Sequence, residues 1–300
     1  MTQLTILGCG LMGAPMARRL LAAGFPVVAW NRTRAKAEAL ESFGARVADS
    51  PRLAVAQADI VITMLEHGQV VDEVLFGPGA GHAAQGLRPG ALVIDMSSIL
   101  PEQARDHAQR LTALGVSYLD APVSGGTLGA EAGTLAIMAG GLANDVERAC
   151  PVFKVLGRPV HVGPSGSGQL AKLANQMIVG ITIGAVAEAL LLAERGGADP
   201  ARVREALRGG FAESRVLEVH GLRMVEGDFA KRGSLAIQLK DLNNALHTAS
   251  AMEFDAPITQ GLTTLYADAA RHGFDQLDQS GVFCELQRRQ TTTLPKDTSV

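Results

Sequence analysis

Residues 4–13 read Leu4-Thr5-Ile6-Leu7-Gly8-Cys9-Gly10-Leu11-Met12-Gly13, an apolar run broken by three glycines and followed by a helical pattern over 12–23. Each glycine at that spacing has its own physical task. Gly8 permits a tight turn out of a strand, Gly10 lets the backbone approach a pyrophosphate, and Gly13 lets the following helix pack on the strand. The helix start then offers free N–H groups and the positive end of its dipole to phosphate. The backbone of Gly8, Gly10, Leu11, Met12 and Gly13 is therefore the candidate cradle for a dinucleotide. A glycine triplet alone is a weak signal. Its place between a strand and a helix, at the head of an alternating pattern, gives it weight. Cys9 reads as a small filler.

Outward from this stretch, short apolar runs recur at 4–7, 27–30, 60–65, 92–95, 117–119, 135–139 and 160–162. Helical patterns lie between most of them, over 34–43, 101–114 and 144–153, and Ser50-Pro51 reads as an N-cap followed by proline in the first turn. Such alternation implies an α/β fold with a parallel sheet covered on both faces. After Val162 the strand-like runs stop. Gly163-Pro164-Ser165-Gly166-Ser167-Gly168 leads into a long apolar helix, and helical patterns continue to about Gln290. The expected organisation is an N-terminal Rossmann-type dinucleotide-binding domain over 1–163, an all-helical domain over 164–290 and a flexible polar tail over 291–300.

Composition excludes several classes. Glycine accounts for 34 of 300 residues, yet no Gly-X-Y period or Gly/Ser tract accompanies it, so collagen and flexible linkers are out. The apolar fraction of 47% suffices for a sizeable core, and a net charge of -3 offers no general attraction for nucleic acid or an acidic membrane. Leu173 to Ala193 is apolar enough to raise the question of a membrane span, but Asn175, Gln176 and Glu188 interrupt it. A buried helix of a soluble domain or subunit interface is the expectation there. The N-terminus lacks the pattern of a signal peptide, and Cys9, Cys150 and Cys284 form no disulfide framework, which points to a reducing cytoplasm. The seven histidines are scattered and no metal is expected.

The second strand ends at Trp30 and is followed by Asn31-Arg32-Thr33. An NAD site usually places a carboxylate there for the ribose 2′-hydroxyl. Asn31 removes the charge that would repel a 2′-phosphate, Arg32 supplies a guanidinium suited to bind it, and Thr33 adds a hydroxyl. NADP(H) is the expected cofactor, with NAD(H) the alternative.

Four separated motifs then follow in order: GCGLMGAPMA from Gly8, DAPVSGG from Asp120 to Gly126, GQLAKLAN from Gly168 to Asn175, and LKDLNNA from Leu239. Together they resemble the β-hydroxyacid dehydrogenase family, which includes 3-hydroxyisobutyrate dehydrogenase, tartronate semialdehyde (2-hydroxy-3-oxopropionate) reductase and the glyoxylate/succinic semialdehyde reductases. The resemblance covers nearly the whole chain. It implies that Lys172 is the general acid/base and that Asn175, three residues on and so on the same helix face, binds substrate beside it. A lysine at the mouth of an apolar helix suits that role, since burial makes it a better proton donor near neutral pH. Gly168, one turn earlier, is expected to leave room for a ligand. The resemblance also implies that Ser124, Gly125 and Gly126 bind the substrate carboxylate, and two successive glycines beside a hydroxyl are a natural anion nest. By position it further implies cofactor contacts from Met64, Leu65, Ser97, Ser98 and Lys240, while Asp241 receives no role.

The reading is therefore reversible hydride transfer between NADP(H) and a small β-hydroxyacid or aldehyde-acid, in a cleft between two domains of a homodimer or homotetramer. Asp120 and Gly126 resemble the hydroxyisobutyrate and tartronate semialdehyde branches, whereas Asn31-Arg32 favours reduction with NADPH. Two rivals are an oxidative decarboxylase like 6-phosphogluconate dehydrogenase, for which no phosphate-binding cluster is evident, and a non-catalytic dinucleotide sensor. The sensor would have no reason to keep Lys172, Asn175 and the Ser-Gly-Gly turn together.

Overall fold

In the computed structural model, which describes residues 2–78 and 81–292, the opening apolar run forms β1 (Leu4–Leu7), with all four residues buried. The alternation continues as α1 (Gly13–Ala22), β2 (Val27–Trp30), α2 (Arg34–Glu38), β3 (Arg46–Val47), α3 (Pro51–Val55), β4 (Ile60–Thr63), α4 (Gly68–Phe76), β5 (Leu92–Asp95), α5 (Pro101–Thr112) and β6 (Ser117–Asp120). Ser50 caps α3 by accepting the Leu53 N–H at 3.2 Å, as the Ser-Pro pair implies. These six strands are parallel, in the order β3-β2-β1-β4-β5-β6. Leu4, Ile6, Ile60, Ile62, Leu92 and Ile94 face one core with Met16 and Leu20 of α1; Leu7, Val61 and Val93 face the other with Val71 and Leu111. The period-two alternation of a strand divides its side chains between the two helical layers.

Beyond β6 the sheet is no longer parallel, a correction to the expectation from alternation. The chain continues as β7 (Val123–Ser124), α6 (Gly126–Ala132), β8 (Leu135–Gly140), α7 (Ala143–Leu156) and β9 (Gly157–Gly163). β8 runs antiparallel to β6 and β7, and β9 pairs parallel with β8. The physical reason lies in the link between β7 and β8, whose only helix is the seven-residue α6. A parallel return needs a crossover of a dozen or more residues. The helix expected over 34–43 also breaks, with α2 ending at Glu38 and a separate turn over Glu41–Phe43.

The remaining chain is helical: α8 (Ser167–Arg195), α9 (Pro200–Leu207), α10 (Arg215–Glu226), α11 (Leu235–Ala251), α12 (Pro257–Ala269) and α13 (Val282–Thr292). The chain divides into two compact units, Met1–Lys172 and Leu173–Val300. In the second, Ile183, Ala187 and Leu190 of α8 join Met224, Leu242, Tyr266 and Phe283 in one core. α8 has the length and apolar content to cross a membrane. Its Leu173, Gly180 and Ile183 are buried, while Ile178 and Leu192 are exposed. Of the tail expected over 291–300, Thr291 and Thr292 close α13, and residues 293–300 lie outside the described residues.

Candidate functional site

In a parallel sheet the strands all leave the same edge, which is where an open α/β sheet binds ligands. Five exits are stitched together there by four bonds: Gly8 N–H donates to Trp30 O at 2.9 Å, Met64 N–H to Leu7 O at 2.9 Å, Met96 N–H to Thr63 O at 2.9 Å and Ala121 N–H to Asp95 O at 2.7 Å. The three glycines of the first turn differ as their tasks require. Gly8 has φ +108°, and a Cβ on it would lie 2.3 Å from Met64 O. A Cβ on Gly13 would lie 1.9 Å from Gly8 O, so the helix can pack this close only without one. A Cβ on Gly10 would meet nothing within 4 Å. That open space, beside the start of α1 where Met12 supplies no side-chain cap, is a cradle that fits a dinucleotide pyrophosphate. Leu11 is exposed beside it.

At the end of β2, Asn31 is used internally. Its Oδ1 accepts the Cys9 N–H at 3.0 Å and its Nδ2 donates to Thr33 O at 2.9 Å, so the amide locks the glycine loop to the loop that follows. Burial pushes the Cys9 thiol up to about 12 and leaves it inert. Arg32 and Thr33 are exposed, and the Thr33 hydroxyl does not cap α2. Arg34 is committed to Glu38 at 2.7 Å and to Asp49, which distinguishes it from Arg32.

Met64 and Leu65 lie just past β4, against Gly8. Ser97 is buried, and its Oγ accepts the Leu65 N–H at 2.9 Å; Ser98, next to it, is half-buried. The Ser97 hydroxyl thus fixes the backbone where the chain leaves β4. Below it Asp95 is fully buried, its Oδ1 accepting from Thr63 Oγ1 at 2.7 Å and from Ser97 N–H at 3.0 Å. Burial raises the Asp95 carboxyl, against the hydrogen bonds of Ser97 and Thr63.

Ser124 ends β7, and Gly125 and Gly126 follow with φ +134° and +62°, so the turn is open to glycine alone in practice and its backbone is exposed. Lys172 is half-buried on α8 and its Nζ donates to Val123 O at 2.9 Å, beside Ser124. The expected room at Gly168 is a misreading. A Cβ there would lie 2.3 Å from Asp120 O and 2.4 Å from Met138 O, so this glycine serves close packing of the helix start.

In the helical unit, Asn175 Nδ2 donates to Gln176 Oε1 at 2.8 Å. Gln176 Nε2 donates to Asp241 Oδ2 at 2.7 Å and to Gln238 Oε1 at 3.1 Å, and Lys240 Nζ lies 3.1 Å from Asp241 Oδ1. Asn175 and Lys240 are thereby tied to one buried network centred on Gln176, and Asp241, given no role from sequence, links Lys240 to it. Gln238 and Asp241 carried no sequence signal beyond facing one way on α11 at a spacing of three.

One cluster among the described residues has metal-ligand types: Asp72, Asp106 and His107 bring three such atoms within 4.8 Å. The Arg110 guanidinium bridges the two carboxylates, at 2.6 Å from Asp72 and 3.1 Å from Asp106, and stacks 3.7 Å over the Phe76 ring. A cation already sits where a metal would go.

Comparison with known proteins agrees with this fold. A family model described as the NAD binding domain of 6-phosphogluconate dehydrogenase matches residues 3–164. A second, described as NAD-binding of NADP-dependent 3-hydroxyisobutyrate dehydrogenase, matches residues 166–285. The chain is 43% identical to the 2-hydroxy-3-oxopropionate reductase of Escherichia coli K12, over 95% of this chain and 97% of that protein. It is 37% identical to the 3-hydroxyisobutyrate dehydrogenase of Pseudomonas aeruginosa, over 92% of this chain and 96% of that one. Among solved structures, the 3-hydroxyisobutyrate dehydrogenase of Mycobacterium tuberculosis with L-serine superposes with a TM-score of 0.87 at 34% identity, covering 96% of this chain and 99% of that chain.

Proposed function

The chain belongs to the 3-hydroxyisobutyrate dehydrogenase family and is an NAD(P)-dependent hydroxyacid oxidoreductase, and from that premise we propose that it reduces a small aldehyde-acid of the 2-hydroxy-3-oxopropionate class with NADPH, using Lys172 as the proton donor. When bound, the nicotinamide supplies the hydride in reduction and accepts it in oxidation. The chain's own residues do the rest. Gly8, Gly10 and the start of α1 hold the pyrophosphate, and Met64 and Leu65 line its edge. The exposed N–H groups of Gly125 and Gly126, with the Ser124 hydroxyl, hold the substrate carboxylate, and Asn175 orients it. Lys172 Nζ gives a proton to the carbonyl oxygen, and in the reverse direction takes one from the hydroxyl.

The observation that carries this reading is the Lys172 ammonium, 2.9 Å from Val123 O and beside the open Ser124-Gly125-Gly126 turn. The experiment is turnover of 2-hydroxy-3-oxopropionate with NADPH, and of 3-hydroxyisobutyrate with NADP, by wild type and Lys172→Ala. We expect kcat to fall by about 10²–10⁴-fold, the usual contribution of a positioned acid/base, with NADPH affinity kept. Cofactor binding by the wild type without turnover of either compound would favour a dinucleotide sensor instead.

For the cofactor, exposed Arg32, the absence of a carboxylate at Asn31, and the commitment of Arg34 elsewhere support NADP(H) over NAD(H). Arg32→Ala should raise KM for NADPH by about 10–100-fold, as expected for one lost charge-assisted contact, and leave NADH nearly unchanged. An equal effect on both would remove the 2′-phosphate assignment. The exposed Ile178 and Leu192 on α8 support a homodimer or homotetramer, which light scattering of wild type and Ile178→Glu would check.

A further inference from the structure

The segment Asp120–Ser124 meets the helix that carries Lys172 twice. Asp120 is fully buried; its Oδ1 accepts the Gly166 N–H at 2.8 Å and its Oδ2 the Gln169 N–H at 2.9 Å. N–H groups at a helix start have no partner within the helix, and here a side chain from the sheet supplies one. Three residues on, Val123 O accepts the Lys172 ammonium at 2.9 Å. These two grips stand on consecutive strands, β6 and β7. Asp120 faces Gly140, Val123 faces Ile137 and Ser124 faces Ala136, so the register against β8 runs unbroken through Ala121 and Pro122.

The contact is held close by missing side chains. A Cβ on Gly168 would lie 2.3 Å from Asp120 O, and one on Gly140 would lie 2.6 Å from both Asp120 Oδ1 and Gly168 N. Gln169, also fully buried, adds a second tie, donating from Nε2 to Ser97 O at 2.9 Å and accepting the Ile99 N–H at 3.1 Å.

We infer that Asp120 is a positioning residue for Lys172: its carboxylate docks the first turn of α8 on the segment that leads into Ser124-Gly125-Gly126. One rigid five-residue segment then sets the distance between the ammonium and the turn that receives the substrate carboxylate. A displacement of about 1 Å between such groups is enough to cost roughly a hundredfold in rate. Burial pushes the Asp120 carboxyl up to about 6, against the Gly166 and Gln169 N–H bonds and with the Asp95 charge from the neighbouring strand adding to the rise. An ionised group at this place costs stability, which fits retention for placement rather than for holding the fold together. The inference rests on the reading of Lys172 as the acid/base.

The test uses the full chain with NADPH and 2-hydroxy-3-oxopropionate. Asp120→Asn keeps the shape but turns one acceptor into a donor aimed at an N–H group. Gly168→Ala forces the same contact apart from the helix side. Both should lower kcat at least tenfold while the NADPH dissociation constant, measured by fluorescence titration, stays within twofold of wild type. Wild-type kcat in both variants, with Lys172→Ala inactive, would overturn the inference and leave the acid/base reading standing. So would losses of turnover, cofactor affinity and cooperative melting together, or failure of both variants to fold, since these mark a general structural role. Wild-type turnover by Lys172→Ala would bring down the acid/base reading and this inference with it.

Discussion

Gly10 and Gly13 stand three residues apart in one loop, and the same substitution should damage them in opposite ways. Gly10 is outside the left-handed backbone region and a Cβ on it meets nothing within 4 Å, so Gly10→Ala should leave the melting temperature nearly unchanged while raising the NADPH dissociation constant tenfold or more. A Cβ on Gly13 would lie 1.9 Å from Gly8 O, a backbone atom that cannot swing away, so Gly13→Ala should cost about 1–3 kcal/mol or more in urea unfolding. Equal destabilisation of the two would contradict this division between ligand approach and helix packing. The glycines were legible in the sequence because each answers a backbone demand that no other residue meets. Asp120, Gln169 and Asp241 were not legible as a set, because a buried polar residue looks like an exposed one until its partners, tens of residues away, are known. Gly168 misled for the same reason: the space beside a glycine is visible in sequence, but not what fills it.

Helix α8 contains a matched pair of tests. A Cβ on Gly180 would lie 2.6 Å from Gln238 Nε2, and one on Gly184 would lie 2.5 Å from Leu262 Cδ1. The distances are alike but the neighbours differ. Gln238 is fully buried and held by bonds with Gln176, whereas the Leu262 methyl ends a flexible, partly buried side chain that can turn aside. Alanine in place of glycine within a helix gains about 1 kcal/mol. Gly184→Ala should therefore be neutral or stabilising, and Gly180→Ala destabilising by about 1–3 kcal/mol. Thermal melts that ranked them the other way would show that Gln238 is free to move. Elements with strong local signals, such as β1 and the Ser50-capped α3, were legible in advance. α6 was not, since Gly126-Thr127-Leu128-Gly129 has glycine where a helix former is expected. Neither was the reversal at β8, which follows from the length of a connection rather than from any residue in the strand.

At the scale of the whole molecule, two pairs of buried carboxylates, Asp95 with Asp120 and Asp278 with Glu285, have opposite pH behaviour, one pair in each compact unit. Asp120 is raised by burial from its ordinary 3.8 to about 6, so its share of stability, on the order of 3 kcal/mol, is present below 3.8 and lost as pH rises through 6. Asp95 is raised for the same reason and acts in the same direction. In the helical unit the signs reverse. Hydrogen bonds from Arg288, against burial, and then from Arg289 hold Glu285 down to about 2. Asp278 is raised by burial, but hydrogen bonds from His220 and Ser280 and the Arg223 charge outweigh this and hold it well below the carboxylate range. The Glu285 contribution is present above 4.5 and disappears as pH falls through about 2, and that of Asp278 is present above 3.8 and is lost at still lower pH. Acidification from pH 6 to 4 should thus favour the sheet unit, and further acidification should melt the helical unit first. Trp30, the only tryptophan, lies on β2 and reports on the sheet unit; amide exchange in α10 and α13 reports on the other. Between pH 4.5 and 2.5 exchange protection in α10 and α13 should fall before Trp30 emission shifts, and Asp278→Asn should move the first transition without moving the second. Coincident transitions at every pH would mean that the two units unfold as one, and that their separate carboxylate networks do not govern acid stability.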